Sequence, residues 1–205
     1  MTPYTPDLLH GLRNWPFGDL RSGYYRTILA DPPWRFVLRS TKGEKKSPQA
    51  KYRTMPLAEI LALPVVELAH PEGCGLVLWG TAPMLPQALA TMAAWGFTYV
   101  TAGAWAKQSR TGRTWNMGPG YRLRTRMEPY LLGTRGAVPL MARNVCNLVV
   151  APVREHSRKP DQLRADVERV FPAPRVELFA REAAPGWEAW GDEVGKFSPA
   201  GAVPC

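Results

Sequence analysis

A rigid polar corner follows the first apolar run of the chain, and its residue types define a chemistry. The apolar residues 28–30 lead into Asp31, Pro32, Pro33 and Trp34. Proline fixes its own φ and holds the preceding residue extended, so the backbone carbonyls of this corner point in set directions. A carboxylate and a backbone carbonyl held close together form a pair of acceptors, which suits an amino group with two N–H donors, such as the exocyclic amine of adenine.

That amine is a poor nucleophile because its lone pair is delocalised into the ring. Two acceptors on its hydrogens favour a pyramidal nitrogen and stabilise the positive charge that develops during attack. Trp34 could stack on the base, a contact worth about 1–3 kcal/mol. The alternative is a strand-terminating turn with Trp34 in the core, and these four residues alone do not decide between the two.

Basic residues are concentrated in two segments that carry almost no acid. The 205 residues include 26 Lys and Arg against 17 Asp and Glu, which gives a net charge of +9. Residues 35–53 hold seven Lys and Arg, and residues 107–126 hold six, with Trp115 and Tyr121 interleaved. Solvated loops are the simpler explanation, but the clustering favours a rim that grips nucleic-acid phosphates. The candidate contacts in the second segment are Lys107, Arg110, Arg113, Arg122 and Arg124.

Apolar segments of two kinds alternate along the chain and predict an α/β fold. Short runs rich in β-branched and aromatic residues predict strands at 25–30, 75–80, 97–105, 129–133, 147–151 and 175–180. Helical spacing predicts helices at 57–69, 83–95 and 160–171, the first broken or kinked at Pro64. This alternation is typical of a mostly parallel sheet with flanking helices.

Polar side chains follow three of the predicted strands. Asp31 follows the first, the run 154–161 follows the fifth, and Arg181 follows the last. Ligands of parallel sheets bind beyond the carboxyl ends of the strands, so we expect these residues to converge there.

Other classes of protein are disfavoured by what the sequence lacks. No apolar run reaches the length of a membrane span, and the N-terminus lacks the order of a signal peptide. Three cysteines and three histidines form neither a disulfide framework nor a metal pattern, so we expect no metal and a cytoplasmic location. These cysteines and histidines are Cys74, Cys146, Cys205, His10, His70 and His156.

Residues 1–205 are predicted to form one domain, with 35–53 and 107–126 as nucleic-acid-binding insertions.

Motifs in a fixed order along the chain resemble those of a known enzyme family. They are ADPPW (30–34), YRTM (52–55), LWGT (78–81), WGFTYV (95–100), WAK (105–107), MEPYLLGTRG (127–136), REHSRKPD (154–161), VELFAR (176–181) and GWEAWGDE (186–193). The chain is similar to the adenine-N6 methyltransferases that include the catalytic subunit of the eukaryotic messenger-RNA enzyme and its bacterial and phage relatives. The resemblance implies a Rossmann-like class I methyltransferase fold with circularly permuted motifs, and S-adenosylmethionine as cofactor.

The same resemblance assigns roles to individual residues. Asp31 would hold the target amine and lie near the amino group of the cofactor, with Pro32, Pro33 and Trp34 completing the catalytic corner. Trp34 and Tyr52 would contact the base. Five further residues are expected along the cofactor: Lys159 at its carboxylate, Glu177 and Arg181 at its ribose, and Asp192 with Glu193 at the ribose or adenine. Relatives often carry amides at these last two positions.

For three residues, a structural role is an alternative to a functional one. Glu177 could pair with a nearby arginine in place of a ribose, because a buried acid needs a partner. For Glu128 a structural ion pair is favoured, and for His156 a structural hydrogen bond is favoured over a general-base role.

Two other functions remain open. The chain could be a catalytically silent nucleic-acid-binding partner subunit, or a methyltransferase acting on a protein amide nitrogen. The intact Asp31–Trp34 corner argues against the first, and the basic segments argue against the second. DNA is favoured over RNA as the substrate, and the sequence does not decide between a monomer and a homodimer.

Overall fold

A seven-stranded sheet forms the centre of the protein. The structure is a computed structural model that describes residues 15–35, 54–120, 122–155 and 157–197. The strands are β1 (Thr27–Ala30), β2 (Gly73–Trp79), β3 (Thr98–Gln108), β4 (Met127–Gly136), β5 (Leu148–Pro152), β6 (Arg175–Leu178) and β7 (Glu188–Trp190). Their order across the sheet is β5-β3-β4-β2-β1-β6-β7.

Only β4 runs against the other strands of this sheet. It pairs antiparallel with both β2 and β3, whereas β1 pairs parallel with β2 and β6. The β3–β5 and β6–β7 pairs are also parallel. The carboxyl ends of six strands therefore lie at one edge, together with the connection between β3 and β4. We call this edge the carboxyl edge.

Three α-helices connect the strands, and proline marks where they begin or end. Helix α1 (Leu57–Ala62) stops before Pro64, and a 3-10 turn at Val65–Glu67 follows it. Helix α2 (Leu85–Ala94) is preceded by a 3-10 turn at Ala82–Met84. Helix α3 (Asp161–Val170) has Pro160 as its N-cap, which suits proline because the missing N–H would have no helical partner.

The helices cover opposite faces of the sheet. On β1, Ile28 packs in the cluster that contains Ile60 of α1 and Met92 of α2. The next residue, Leu29, packs in the other cluster with Leu163 of α3. This alternation follows from the two-residue period of a strand, and it makes β1 a central strand buried on both sides.

The predicted α/β fold with a mostly parallel sheet is confirmed. All six predicted strands and the break at Pro64 are present, with ends shifted by a few residues. Strand β7 was not predicted, because its three residues include one acid and form no apolar run. Within the described ranges, no helix has the length and apolar character needed to cross a membrane.

Candidate active site

The acceptor corner lies at the carboxyl edge, directly beyond the central strand β1. The backbone N–H of Asp31 donates to the Leu178 carbonyl of β6 at 3.3 Å, which continues the ladder by one residue. The Pro32 carbonyl accepts from the backbone N–H of Trp34 at 2.8 Å. A carbonyl oxygen has two lone pairs, so one remains for a ligand. The corner is held by its own hydrogen bonds as well as by the prolines.

The position of Trp34 differs from that expected of a residue that stacks on a base. Its side chain is only 4% exposed and belongs to the core. The indole N–H donates to the Trp79 carbonyl at 3.2 Å, which ties the corner to the end of β2. The structure therefore favours the alternative considered above, in which Trp34 lies in the core and braces the corner, and its contact with a base stays a prediction.

The Asp31 carboxylate is bound by Lys159, which lies in the segment between β5 and α3. The Lys159 ammonium lies 3.0 and 2.9 Å from the two oxygens of Asp31 and 3.3 Å from Glu128 on β4. Glu128 also accepts from Lys107 at the end of β3. The four groups form a row of alternating charge, Lys107–Glu128–Lys159–Asp31. We call it the charge row.

The pKa values in the charge row follow from burial and pairing. Burial alone would raise the pKa of Glu128, but the ammonium groups of Lys159 and Lys107 outweigh it and hold the pKa at about 2. Burial would lower the pKa of Lys159, but the carboxylates of Asp31 and Glu128 raise it above its usual value. The ion pair favoured for Glu128 is therefore present, and Lys107 is engaged in it rather than displayed to solvent.

Glu177 of β6 pairs with an arginine, the structural alternative considered above. Arg164 of α3 donates to one of its oxygens from Nε at 3.2 Å and from Nη2 at 2.9 Å. Arg164 also lies 3.4 Å from Glu182, which accepts from Arg158 at 2.7 Å. The other oxygen of Glu177 accepts no hydrogen bond from a described residue, so the pairing does not exclude a ligand.

Two adjoining clefts contain every residue predicted to contact the cofactor. The first is lined by Asp31, Lys159, Glu177 and Arg181 among others. The second shares Asp31 and Arg181 with the first. The second cleft also has Asp192 and Glu193 in its wall.

Arg181 and Glu193 contact each other across the second cleft. Nε of Arg181 lies 3.3 Å from Glu193, and Nη1 donates to the Ser157 carbonyl at 3.1 Å. Gly191 approaches the backbone of Ala180 so closely that an added Cβ would lie 2.9 Å from it. The end of β7 is thereby held against the segment that follows β6, which fixes the wall carrying Asp192 and Glu193.

Several cleft residues were not found from the sequence. Phe179 and Ser157 have φ values of 59° and 64°, a conformation uncommon for non-glycine residues and frequent at functional sites. Phe179 lines both clefts, and Ser157 and Arg164 line the first. A sequence gives no signal for a positive φ at phenylalanine or serine, and Arg164 is one of five charged residues in α3.

The basic connection between β3 and β4 folds into a strand-like extension at the carboxyl edge. Bridges join Gln108 to Trp115 and Gly118 to Thr125. Trp115 is 51% exposed. The four arginines predicted here to contact nucleic acid are exposed, as is Arg126, and none of the four forms an ion pair with an acid that the structure describes: Arg110, Arg113, Arg122 and Arg124. These four form a positive rim at the carboxyl edge, the edge at which Asp31 also lies.

Some predicted residues fall outside the described part of the chain. These are Tyr52, most of the segment 35–53, Tyr121 and His156. Among described residues, no group of three His, Cys, Asp or Glu side chains could hold a metal ion.

Comparison with known proteins gives several matches that span most of this chain. It is 30% identical over 197 residues to the type II methyltransferase M.MunI of Mycoplasma sp, which covers 87% of this chain and 81% of the relative. An N(6)-adenosine-methyltransferase MT-A70-like protein of Arabidopsis thaliana is 33% identical over 90% of this chain. The human N(6)-adenosine-methyltransferase catalytic subunit METTL3 is 26% identical over 84% of it.

The lengths of these relatives differ. The chain spans 27% of the Arabidopsis protein and 28% of the human one. The model of the MT-A70 family matches residues 25–193, from the start of β1 to the far wall of the second cleft. The match includes Asp31, Lys159 and Glu193, so the chain belongs to the MT-A70 family.

Proposed function

We propose that this protein transfers a methyl group from S-adenosylmethionine to the N6 amine of adenine in a nucleic acid. The observation that carries the proposal is the placement of Asp31 in the walls of both clefts, with the hydrogen-bonded Pro32 carbonyl next to it in the chain. Its relatives, which are named N6-adenosine methyltransferases, support the same chemistry.

The charges around the clefts fit the cofactor. Lys159 offers a cation for a carboxylate, Asp31 an anion for an amino group, and Glu177 an acceptor for ribose hydroxyls. Phe179 supplies an apolar surface between the two clefts. When bound, the cofactor supplies an electrophilic methyl group on a sulfonium centre, so the site must orient a nucleophile rather than provide a strong base.

Asp31 and Pro32 would orient that nucleophile. A carboxylate accepts about four hydrogen bonds, so the two from Lys159 leave capacity for the target amine. The Pro32 carbonyl has one further lone pair beyond its bond to Trp34. Two acceptors on the amine stabilise the positive charge of the transition state, and the methylated amine then loses a proton readily.

The positive rim would hold the polynucleotide. Contacts from Arg110, Arg113, Arg122 and Arg124 to phosphates give affinity without sequence choice. The adenine must leave its stack to reach Asp31, which costs a few kcal/mol in a duplex. We favour DNA over RNA as the nucleic acid, and the methylation assay described next measures both.

Expression in a host that lacks N6-methyladenine tests the proposal. DNA and RNA are purified separately and analysed by mass spectrometry for the methylated base. We expect N6-methyladenine in the DNA of cells carrying the wild-type protein and none with Asp31→Asn. Glu59→Gln, the same chemical change at an exposed site on α1, is the control and should methylate normally.

Three results would contradict the proposal in different ways. Equal methylation by wild type and Asp31→Asn would refute the site. Cofactor binding without methylation of either nucleic acid would favour a silent partner subunit. Methylated amide nitrogen in host proteins, with unmodified nucleic acid, would show that the methyl acceptor is a protein amide.

A further inference from the structure

The carboxylate of Glu177 is held at one oxygen and open at the other. Its Oε2 accepts both hydrogen bonds from Arg164, at 3.2 Å from Nε and 2.9 Å from Nη2. Its Oε1 accepts none from any residue that the structure describes. Since Glu177 lines the first cleft, Oε1 is the oxygen left for a ligand.

Arg164 is itself fixed in place. It projects from α3, which is anchored in the core by Leu163 and Val167. Its guanidinium also lies 3.4 Å from Glu182 and 3.6 Å from Asp161. Three carboxylates therefore restrain one arginine, and its side chain is only 16% exposed. A group held in this way can impose a fixed orientation on Glu177.

Glu177 needs that arginine because its surroundings disfavour its negative charge. Burial raises the pKa of Glu177 above its usual value; Arg164 lowers it without cancelling that rise, to which the carboxylates of Asp31 and Glu182 add. The charged groups that share the first cleft with Glu177 come from four parts of the fold: Asp31 after β1, Arg158 and Lys159 before α3, Arg164 within α3, and Arg181 and Glu182 after β6. Of these cations, Arg164 is the one that hydrogen-bonds to Glu177.

We propose that Arg164 is a positioning residue for the cofactor: it holds Glu177 as a carboxylate through Oε2 and leaves Oε1 to accept from the hydroxyl groups of the cofactor's ribose. The inference rests on the proposed function, because the ribose belongs to S-adenosylmethionine. It assigns Arg164 no contact with the ligand. Its effect is transmitted through Glu177.

Loss of Arg164 would make cofactor binding depend on pH. Without the guanidinium, the pKa of Glu177 would rise further, so Glu177 would bind a proton more readily and expose a hydroxyl donor in place of one acceptor. A change of about one unit in pKa alters the charged fraction about tenfold on the acid side. Because Arg164 opposes protonation in the wild type, affinity for the ribose should vary less with pH there than in a variant without the guanidinium.

Calorimetric titration with S-adenosylhomocysteine, which carries the same ribose and undergoes no reaction, tests this inference. We expect the Kd of the wild type to agree within about twofold between pH 6 and pH 8, while Arg164→Met binds about tenfold more weakly at pH 6 than at pH 8. Arg164→Lys retains a cation and should recover most of the pH 6 affinity. Arg169→Met, on the exposed end of the same helix, is the control and should match the wild type.

Glu177→Gln provides a second measurement should Arg164→Met fold poorly. It removes the titrating group, so its binding should be weak and the same at both pH values. Wild-type affinity of Arg164→Met at both pH values would overturn the inference, as would equal weakening at both, since that pattern indicates lost packing. If the wild type binds no S-adenosylhomocysteine at all, the proposed function fails first, and the inference fails with it.

Discussion

Lys159 binds both carboxylate oxygens of Asp31, at 3.0 and 2.9 Å, although 128 residues separate the two in the chain. The contact exists because the segment after β5 returns along the carboxyl edge before α3 begins. It joins the acceptor corner to the charge row and fixes the direction in which Asp31 faces the clefts. The geometry of the proposed acceptor corner and the stability of the fold therefore depend on the same ion pair.

Replacing Lys159 by methionine should destabilise the fold strongly. The change leaves Asp31 without its cation and removes one of the two cations of Glu128. Breaking one partner of a buried pair costs about 3–5 kcal/mol. Urea unfolding at pH 7 measures the loss. Lys196→Met removes a more exposed partner of Glu193 and should cost less than about 1 kcal/mol. Equal midpoints for the two variants would show that the charge row does not support the fold.

Glu128 should contribute stability that disappears in acid. Its pKa of about 2 in the folded state lies below the ordinary value of 4.5, so the folded state binds fewer protons than the unfolded state between these values. A depressed pKa gives stability that is complete above about 4.5 and is lost as the pH falls towards 2. The shift corresponds to roughly 3 kcal/mol at pH 7.

Urea unfolding of wild type and Glu128→Gln at pH 7, 5 and 3 measures that contribution. The difference between the two proteins should be largest at pH 7 and should shrink markedly at pH 3. Glu59→Gln serves as the exposed control and should follow the wild type throughout. A difference that stays constant with pH would mean that the substitution acts through packing rather than charge.

The sequence predicted most strands because their apolar, β-branched runs are bounded by glycine or proline. It did not predict the reversed direction of β4, since the two-residue period of a strand is the same in either direction. Strand β7 was missed because Glu188, Ala189 and Trp190 have no such run. The sequence does not show which strands lie side by side in the sheet, and β7 is stabilised by pairing with β6.

The part of the site that lies at the ends of strands could be predicted from the sequence, because the carboxyl ends of parallel strands lie at one edge of the sheet. Asp31 and Lys159 were each placed at a strand end, and their contact follows from the sheet. Arg164 could not be identified, because a helical arginine is ordinarily solvated and only the packing of α3 turns this one towards Glu177. Trp34 was ambiguous for a different reason: a large aromatic after a rigid corner suits a core and a ligand equally well.

Two substitutions at Trp34 should separate its bracing role from base stacking. Trp34→Phe removes the N–H that donates to the Trp79 carbonyl and leaves that acceptor unsatisfied, which costs about 1–3 kcal/mol. Trp34→Ala adds a cavity and should cost about 3–5 kcal/mol. Thermal or urea unfolding measures both. Trp115→Ala, at an exposed aromatic, should leave stability unchanged. Full stability of Trp34→Phe with weakened binding to an adenine-containing oligonucleotide would restore the stacking role.

The positive rim should set the salt dependence of nucleic-acid binding. Each phosphate contact contributes about 0.9 to the slope of log K against log salt on duplex DNA, so replacing Arg113 and Arg124 by glutamine should lower the slope by up to about 1.8. Fluorescence anisotropy with a labelled duplex between about 50 and 200 mM salt measures it. Arg135→Gln is the matched control, because Arg135 is exposed at the opposite edge of the sheet, paired across from Cys74 at the start of β2. An unchanged slope in the double variant, or an equal loss with Arg135→Gln, would show that the extension between β3 and β4 is not where the polynucleotide binds.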